Sequence, residues 1–187
     1  QGHWSLYGDL RVSQSGFEGP RSSFVDADIQ PTYHISDALS FYAGIRLVVQ
    51  PDWLLWRGGN LLGSFRSQQG GLNAGMQWSA GSRHELRLKL EAIALTARAR
   101  QAWRIEDGGA PRAVNEPLAD FSLRNLGVQL RYRYEIAPLS YVYAVYSRGG
   151  FEFSEGRGDP LANQFSSAFS LRDSEQFLVK FSYRFRI

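Results

Sequence analysis

The sequence predicts an all-β protein, a transmembrane antiparallel up-and-down β-barrel of eight strands. Three observations support this prediction. Apolar and polar residues alternate with period two along most of the chain. The predicted connections alternate between short turns and long loops. Aromatic residues gather near the short-turn ends of the apolar face. With 187 residues the chain has the length of one domain, so residues 1–187 are predicted to form a single barrel domain.

The composition excludes several classes of protein. A content of 43% hydrophobic and 21% charged residues argues against a disordered chain. The absence of Cys excludes a disulfide scaffold, thiolate zinc sites and a Cys nucleophile. No apolar run approaches the roughly 18 residues that a membrane helix needs. A net charge of +3 is small for a nucleic-acid-binding protein of this size. Because no basic, apolar leader opens the sequence, we expect a removed signal peptide or a piece of a longer protein.

Eight strands are predicted, with bounds good to a few residues. The clearest alternation lies at the end of the chain, where Phe177, Val179 and Phe181 share one face and Leu178 and Lys180 the other. In the fifth strand the apolar set changes phase after Glu91, which predicts a bulge near Ala92. The predicted strands are 3–13, 23–34, 39–52, 62–79, 84–105, 121–136, 139–149 and 174–187.

The connections predict which ends of the strands lie together. Short turns are predicted at 35–38, 80–83 and 137–138, and long loops at 14–22, 53–61, 106–120 and 150–173. Short turns at one end and long loops at the other are typical of bacterial outer-membrane barrels. We therefore expect an outer-membrane location with both termini in the periplasm. Closure of such a barrel requires the first strand to pair with the eighth.

The two faces of the predicted strands differ in composition. One face carries most of the charges, predicted to form a lumen charge cluster: Asp9, Arg11, Asp26, Asp28, Arg46, Arg87, Lys89, Glu91, Arg131, Arg133, Glu135, Lys180 and Arg184. The other face is aliphatic and ends in predicted membrane-interface aromatics: Trp4, Tyr33, Trp78, Tyr132, Tyr134, Tyr183 and Phe185. A soluble barrel of the lipocalin type also alternates, with its apolar side inside, and the period alone does not separate the two architectures.

The last residues resemble a known assembly signal. The ending FLVKFSYRF, with Phe181, Tyr183 and Phe185 alternating, is similar to the C-terminal signal that the outer-membrane barrel assembly machinery reads. It departs from that signal in the two residues that follow the terminal Phe, Arg186 and Ile187. The resemblance implies that this machinery is a partner during biogenesis.

Longer segments resemble the C-terminal barrel region of the family known only as domain of unknown function 5916. They are YGDLRV, DWLLWRGGN, HELRLKLEAIALTAR, FSLRNLGVQLRYRYEIAPLSYVYAVYSRGG and DSEQFLVKFSYRF, spread along nearly the whole chain. Proteins of that family usually carry, before the barrel, a domain similar to family-9 carbohydrate-binding modules. The family has no established activity, so the resemblance implies a location and an architecture and no chemistry.

Candidate catalytic and metal-binding residues are weighed against structural roles. His3, His34 and His84 all fall at the predicted periplasmic rim, away from the outer rim where lipid-modifying barrels place a catalytic His. We therefore predict no enzyme activity, no metal and no cofactor. The lumen charges are interpreted as a paired network, with Asp26 and Asp28 beside Arg11. Catalytic carboxylates or an ion pathway are the alternatives.

Four lumen cations fit a paired network poorly. Arg131 and Arg133 are predicted beside Arg87 and Lys89 on the adjacent strand. In a wider barrel these residues would form an anion-selecting wall.

Two apolar groups fall in predicted loops. Trp53, Leu54, Leu55 and Trp56 are interpreted as an outer interfacial belt, with a sugar-stacking platform as the alternative. Loop 150–173 is rich in Phe and is expected to fold over the barrel mouth or to contact a partner protein.

The leading functional hypothesis is a membrane anchor or interaction module with a side-chain-filled lumen, in contact with outer-membrane lipids and lipopolysaccharide. The second is a part of a wider barrel that forms a pore for small anionic solutes. The third is a lipid- or glycan-acting outer-membrane enzyme. No nucleic-acid partner is expected.

Overall fold

The computed structural model describes residues 3–15, 22–156 and 160–185. These residues form nine β-strands and one short helix. In chain order they are β1 (His3–Ser15), β2 (Ser22–Ser36), β3 (Leu39–Gly58), β4 (Leu61–Ala80), β5 (His84–Ile105), β6 (Pro111–Val114), β7 (Phe121–Ala137), β8 (Ser140–Glu155), α1 (Leu161–Ala168) and β9 (Ser174–Ser182).

The strands form one antiparallel up-and-down sheet, which confirms the predicted fold class at this level. The order across the sheet is β1-β2-β3-β4-β5-β7-β8-β9, and β6 pairs with the end of β5 as a hairpin. The prediction of eight strands missed β6. The predicted closure is also wrong for the described residues, because β1 and β9 lie at opposite edges of the sheet and do not pair.

The connection between β3 and β4 is a tight turn, where a long loop at 53–61 was predicted. β3 runs to Gly58 and β4 begins at Leu61. Gly58 and Gly59 have φ values of 131° and 53°, a conformation that glycine adopts without steric cost. Residues 53–58 are therefore strand, and two of their apolar side chains, Trp53 and Leu55, pack instead of lining a loop.

Other bounds differ at the ends of the chain. β9 ends at Ser182, whereas the alternation predicted a strand to 187. Arg186 and Ile187 lie outside the described residues, as do residues 16–21 of the predicted first long loop.

The predicted bulge near Ala92 is wrong. Ala92 pairs without interruption with Leu72 on β4 and Leu126 on β7. The irregularity lies further along, where Ser64 pairs with Gln101 and the next residue, Phe65, pairs with Ala99. The apolar residues after Glu91 therefore lie on the same face of the sheet as Glu91 itself.

The predicted loop 150–173 is too long, because β8 runs to Glu155. The rest of the segment contains α1, which packs against the middle of the sheet and not over one end of it. The Phe165 ring lies where a Cβ on Gly70 would have to sit. Ala168 and Leu171 complete a buried cluster with Ala92 and Leu126. Leu161, Phe165 and Ala168 form a single apolar stripe, which is the usual pattern of a helix packed on a sheet. Within the described residues, no helix has the length and apolar character that crossing a membrane requires.

Candidate functional site: two faces of one sheet

The register divides the side chains between an apolar face and a charged face. One row of register partners crosses eight strands on the apolar face. Its members are Trp4, Tyr33, Phe41, Met76, Leu88, Leu130, Tyr146 and Phe177. Alternate residues of the same strands form the charged face, which carries the thirteen members of the predicted charge cluster.

The sheet curves around the charged face. A cavity of about 600 Å³ is lined by residues of six strands, from His3 on β1 to Arg133 on β7. A second cavity of about 150 Å³ is lined by Asp28, Arg46 and Glu91. Side chains from so many neighbouring strands can surround one space only on the concave side of a sheet. The apolar face is therefore the convex one.

The apolar face is most exposed on β1, β3 and β9 and mostly half-buried or buried on β2, β4, β5, β7 and β8. Leu10 is 68% exposed, Ile45 62% and Phe177 71%. Other large exposed side chains on this face are Trp4, Leu6, Val12, Ile29, Phe41, Leu47, Leu130, Val179 and Phe181. Soluble monomers rarely expose a contiguous apolar patch above a few hundred Å². A surface of this extent needs an apolar partner or a lipid environment.

The apolar residues form a band that crosses the sheet obliquely. In β1 the band runs from Trp4 to Val12, and the next residue on that face is Gln14. In β9 the band begins at Phe177, two residues after Glu175. Trp4 and Phe177 lie in the same register row. The loop-side limit of the band therefore moves from the row of Val12 in β1 to the row of Trp4 in β9.

A second row shows the same drift. Val12, Val25 and Val49 are apolar in β1–β3, but the row continues through polar residues, Gln68, Thr96, Ser122 and Ser154, in β4–β8. From β1 to β9 the band shifts by eight residues along the strands, which is about 27 Å. Over the same interval it crosses seven strand spacings, which is about 34 Å. This corresponds to a strand tilt of roughly 40°, within the range of about 35–45° for membrane barrels.

The height of the band differs between strands. It spans nine residues on β1 from Trp4 to Val12 and nine on β7 from Leu126 to Tyr134, but on β8 only Val142 to Tyr146, between Ser140 and Arg148. Nine to eleven tilted residues are what a transmembrane strand uses to cross the hydrocarbon region.

All seven predicted interface aromatics lie at or near the short-turn end of the apolar face. Trp4 and Tyr33 are register partners with ring centroids 4.6 Å apart. Tyr132 and Tyr134 flank His84, whose Nδ1 lies 2.6 Å from the Tyr132 hydroxyl. Tyr183 packs against Phe185, with centroids 4.9 Å apart. Trp78 lies between Leu39 and Leu86, in the same register row as Tyr132 and two residues before the end of β4.

The predicted assembly signal is exposed where the structure describes it. Phe181 lies in β9, and Tyr183 and Phe185 follow the end of that strand. All three side chains are exposed. They continue the apolar face towards the short-turn end of the sheet.

On β1–β3 the charged face holds a bidentate ion pair. Arg46 donates from Nε and from one terminal nitrogen to the two carboxylate oxygens of Asp26, at 2.8 and 2.7 Å. Asp26 is 5% exposed. Arg11 lies opposite it in register, as predicted, and forms its own ion pair with Asp9 at 3.0 Å. Asp28 and Glu91 line the smaller cavity beside Arg46.

On β5 and β7 one carboxylate that sequence reasoning missed organises the predicted cations. Glu85 forms ion pairs with Arg87, with Arg131 at 3.8 Å and with Arg133 at 2.9 Å. The sequence did contain a signal for this residue. Glu85 is two residues before Arg87, so alternation along β5 places both side chains on the charged face. Lys89 pairs in register with Gln129, on the same face.

The remaining cluster members lie nearer the turns and the β9 edge. Glu135 accepts a hydrogen bond from the Leu139 backbone N–H at 3.3 Å, across the β7–β8 turn. The backbone N–H of Arg184 donates to the Ser140 hydroxyl at 3.0 Å. Lys180 is exposed on β9 and pairs in register with Tyr143.

The loop-side part of the charged face is apolar and densely packed. Phe65 is fully buried, with its ring edge against Phe121 at 5.3 Å. Trp53, Leu55 and Leu118 pack against this cluster. The prediction that residues 53–56 form a loop-edge belt is thus wrong for Trp53 and Leu55, because a register shift between Gln50 and Trp53 turns them to the concave side. Trp56 is exposed, and its indole N–H donates to the Gly59 carbonyl at 3.0 Å.

His3, His34 and His84 all line the cavity of about 600 Å³, but they do not share one face of the sheet. His3 and His34 are register partners on the charged face, whereas His84 faces Tyr132 and Tyr134 on the apolar face. Across the described ranges, no group of three or more His, Asp or Glu side chains is placed to hold a metal ion.

The loop-side edge of the band carries polar contacts. Arg124 pairs with Glu152, and the Arg148 guanidinium donates to the carbonyls of Phe169 and Leu171. α1 covers the band beside these contacts, on Leu126 and Val128. Asn163 and Ser166 lie on the outer side of α1.

Comparison with known proteins finds no matching family, no matching curated protein and no matching solved structure. The resemblance to the barrel family of unknown function therefore stays a prediction. What the chain does has to be argued from the two faces of its sheet.

Proposed function

We propose that this chain is an outer-membrane β-barrel module that serves as a membrane anchor and interaction module. One observation supports the proposal above all: the exposed apolar face forms an oblique band, nine residues high on β1 and β7, tilted as membrane strands are. In a soluble barrel the apolar face would be the concave one, whereas here the concave face carries the charge cluster together with one apolar cluster around Phe65. The apolar band would contact outer-membrane lipids, including lipopolysaccharide.

The two edge strands of the sheet, β1 and β9, need pairing partners in a membrane. An unpaired backbone N–H or C=O in hydrocarbon costs several kcal/mol, so β1 and β9 both need strand partners inside a bilayer. The exposed Phe181, Tyr183 and Phe185 at the β9 edge fit the proposed role as the signal for the barrel assembly machinery. Partner proteins would meet the module at its long loops. The charge cluster is given a structural and no catalytic role.

Leu130→Arg tests the proposal at the centre of the band on β7. An arginine near the bilayer midplane should lower the unfolding free energy by about 2–4 kcal/mol. The adjacent Gln129→Arg is the matched control, because Gln129 is exposed on the charged face. It should cost less than about 1 kcal/mol. The measurement is reversible urea unfolding in phospholipid vesicles. Equal losses for the two variants would show that the apolar face does not meet lipid.

A pore within a wider barrel is the second candidate function, and the open edges of the sheet favour it. The 187-residue chain alone should show no steady conductance in planar bilayers, since Phe65, Phe121 and Leu118 fill the loop-side end of the concave face. A steady, anion-selective current that Arg131→Glu with Arg133→Glu weakens or reverses would establish the pore instead.

A further inference from the structure

Three guanidinium groups meet one carboxylate at the short-turn end of the charged face. Arg87 and Arg131 are register partners, and Arg133 lies opposite Glu85. The Glu85 side chain is only 14% exposed, whereas Arg87, Arg131 and Arg133 are 42%, 40% and 33% exposed. Glu85 also lines the cavity, but most of the exposed surface of this cluster is guanidinium.

Arg87 and Arg133 line the cavity of about 600 Å³, which lies within the size range of small-molecule sites. Hydrogen-bonding groups face it from the neighbouring strands: Gln77 pairs in register with Arg87, and Ser40 with Gln77. His34 borders the cavity beyond Ser40. Asp37, in the exposed turn after β2, is the other carboxylate among the lining residues.

The donors outnumber the acceptors in this cluster. Each guanidinium carries five N–H groups, and the two oxygens of Glu85 can accept from only some of those fifteen donors. The Arg133 guanidinium also lies over the Tyr141 ring, 5.3 Å from its centroid, and this contact orients its plane. The cluster thus holds an excess of positive charge and of directed N–H groups beside an open cavity.

We propose that this cavity binds a small anion that carries a phosphate monoester group. Arginine forks match the oxygen spacing of phosphate and bind it through paired, charge-assisted hydrogen bonds. Arg87 and Arg133 would bind the phosphate oxygens, and Gln77 and Ser40 the rest of the molecule. The site does not depend on the proposed membrane role, because it lies on the charged face.

The test is equilibrium dialysis of the purified chain in nonionic detergent against radiolabelled inorganic phosphate. Arg133→Gln should weaken phosphate binding about fivefold or more, whereas Glu85→Gln should strengthen it about fivefold, since it removes the competing negative charge. Arg133→Lys should give an intermediate loss because it keeps the charge and loses the fork. Arg112→Gln on β6, outside the cavity, should leave binding unchanged.

Arg133→Gln and Glu85→Gln are expected to change phosphate affinity in opposite directions, and this distinguishes a binding site from a cluster with a structural role only. If Arg133→Gln and Glu85→Gln shift phosphate affinity in the same direction, or if the unaltered chain binds no phosphate at millimolar concentration, the proposal is wrong. Urea midpoints of the variants show whether each one is folded. Competition by phosphatidic acid in mixed micelles would identify a lipid headgroup as the source of the phosphate, and its absence a soluble phosphate ester.

Discussion

Replacing Arg46 with alanine should lower the free energy of unfolding by about 3–5 kcal/mol. The change leaves Asp26, which is 5% exposed, as a buried carboxylate without its bidentate partner. The reverse change, Asp26→Asn, should cost clearly less, because the Arg46 side chain is 49% exposed and can reach water. The measurement is urea unfolding in lipid vesicles, compared by midpoint and slope.

Two further variants make the result specific to the buried pair. Arg11→Ala should cost less than about 1 kcal/mol, because the Arg11–Asp9 pair is largely exposed. Adding Asp26→Asn to Arg46→Ala should recover much of the loss, since the unpaired charge is then gone. A loss for Arg46→Ala no larger than that for Arg11→Ala would contradict the assignment of this pair as buried.

A second large effect is expected at the loop-side end of the concave face. Phe65→Ala should lower the unfolding free energy by about 3–5 kcal/mol, because the fully buried ring leaves a cavity among Phe121, Trp53 and Leu118. The ring also loses its edge contact with Phe121. Thermal and urea unfolding in the same lipid measure the loss.

Phe151 on β8 provides the matched control, because its side chain is 53% exposed. Phe151→Ala should change the unfolding free energy by less than about 1 kcal/mol. If the two Phe→Ala variants lose the same stability, the packing of Phe65 as the centre of this cluster is incorrect.

Several errors in the sequence-based prediction share one physical cause. The alternation of apolar and polar residues assigns side chains to the two faces of a strand. It does not reveal where the pairing with the neighbouring strand shifts by one residue. The shift between Gln50 and Trp53 brings Trp53 and Leu55 to the concave face. In β5 the hydrophobic pattern itself changes face after Glu91, and a bulge was inferred there where pairing is continuous. Only the cross-strand register distinguishes these two cases.

Other features depend on contacts between distant segments. Leu161, Phe165 and Ala168 have helical spacing, and Pro160 precedes them, but eight residues are too few for a helix that is stable alone. The Phe165 ring against Gly70 on β4 stabilises it there. Likewise, Glu85 becomes the centre of the arginine cluster only because β7 places Arg131 and Arg133 beside it.

The sequence by itself determined that the chain is an antiparallel β-sheet with one apolar and one charged side, because period-two alternation is a local property of each strand. The tertiary structure decided the rest. Curvature made the charged face concave, and register made the apolar band oblique. The pairing pattern left β1 and β9 as free edges, since strand partners depend on backbone hydrogen bonds between segments that composition does not identify.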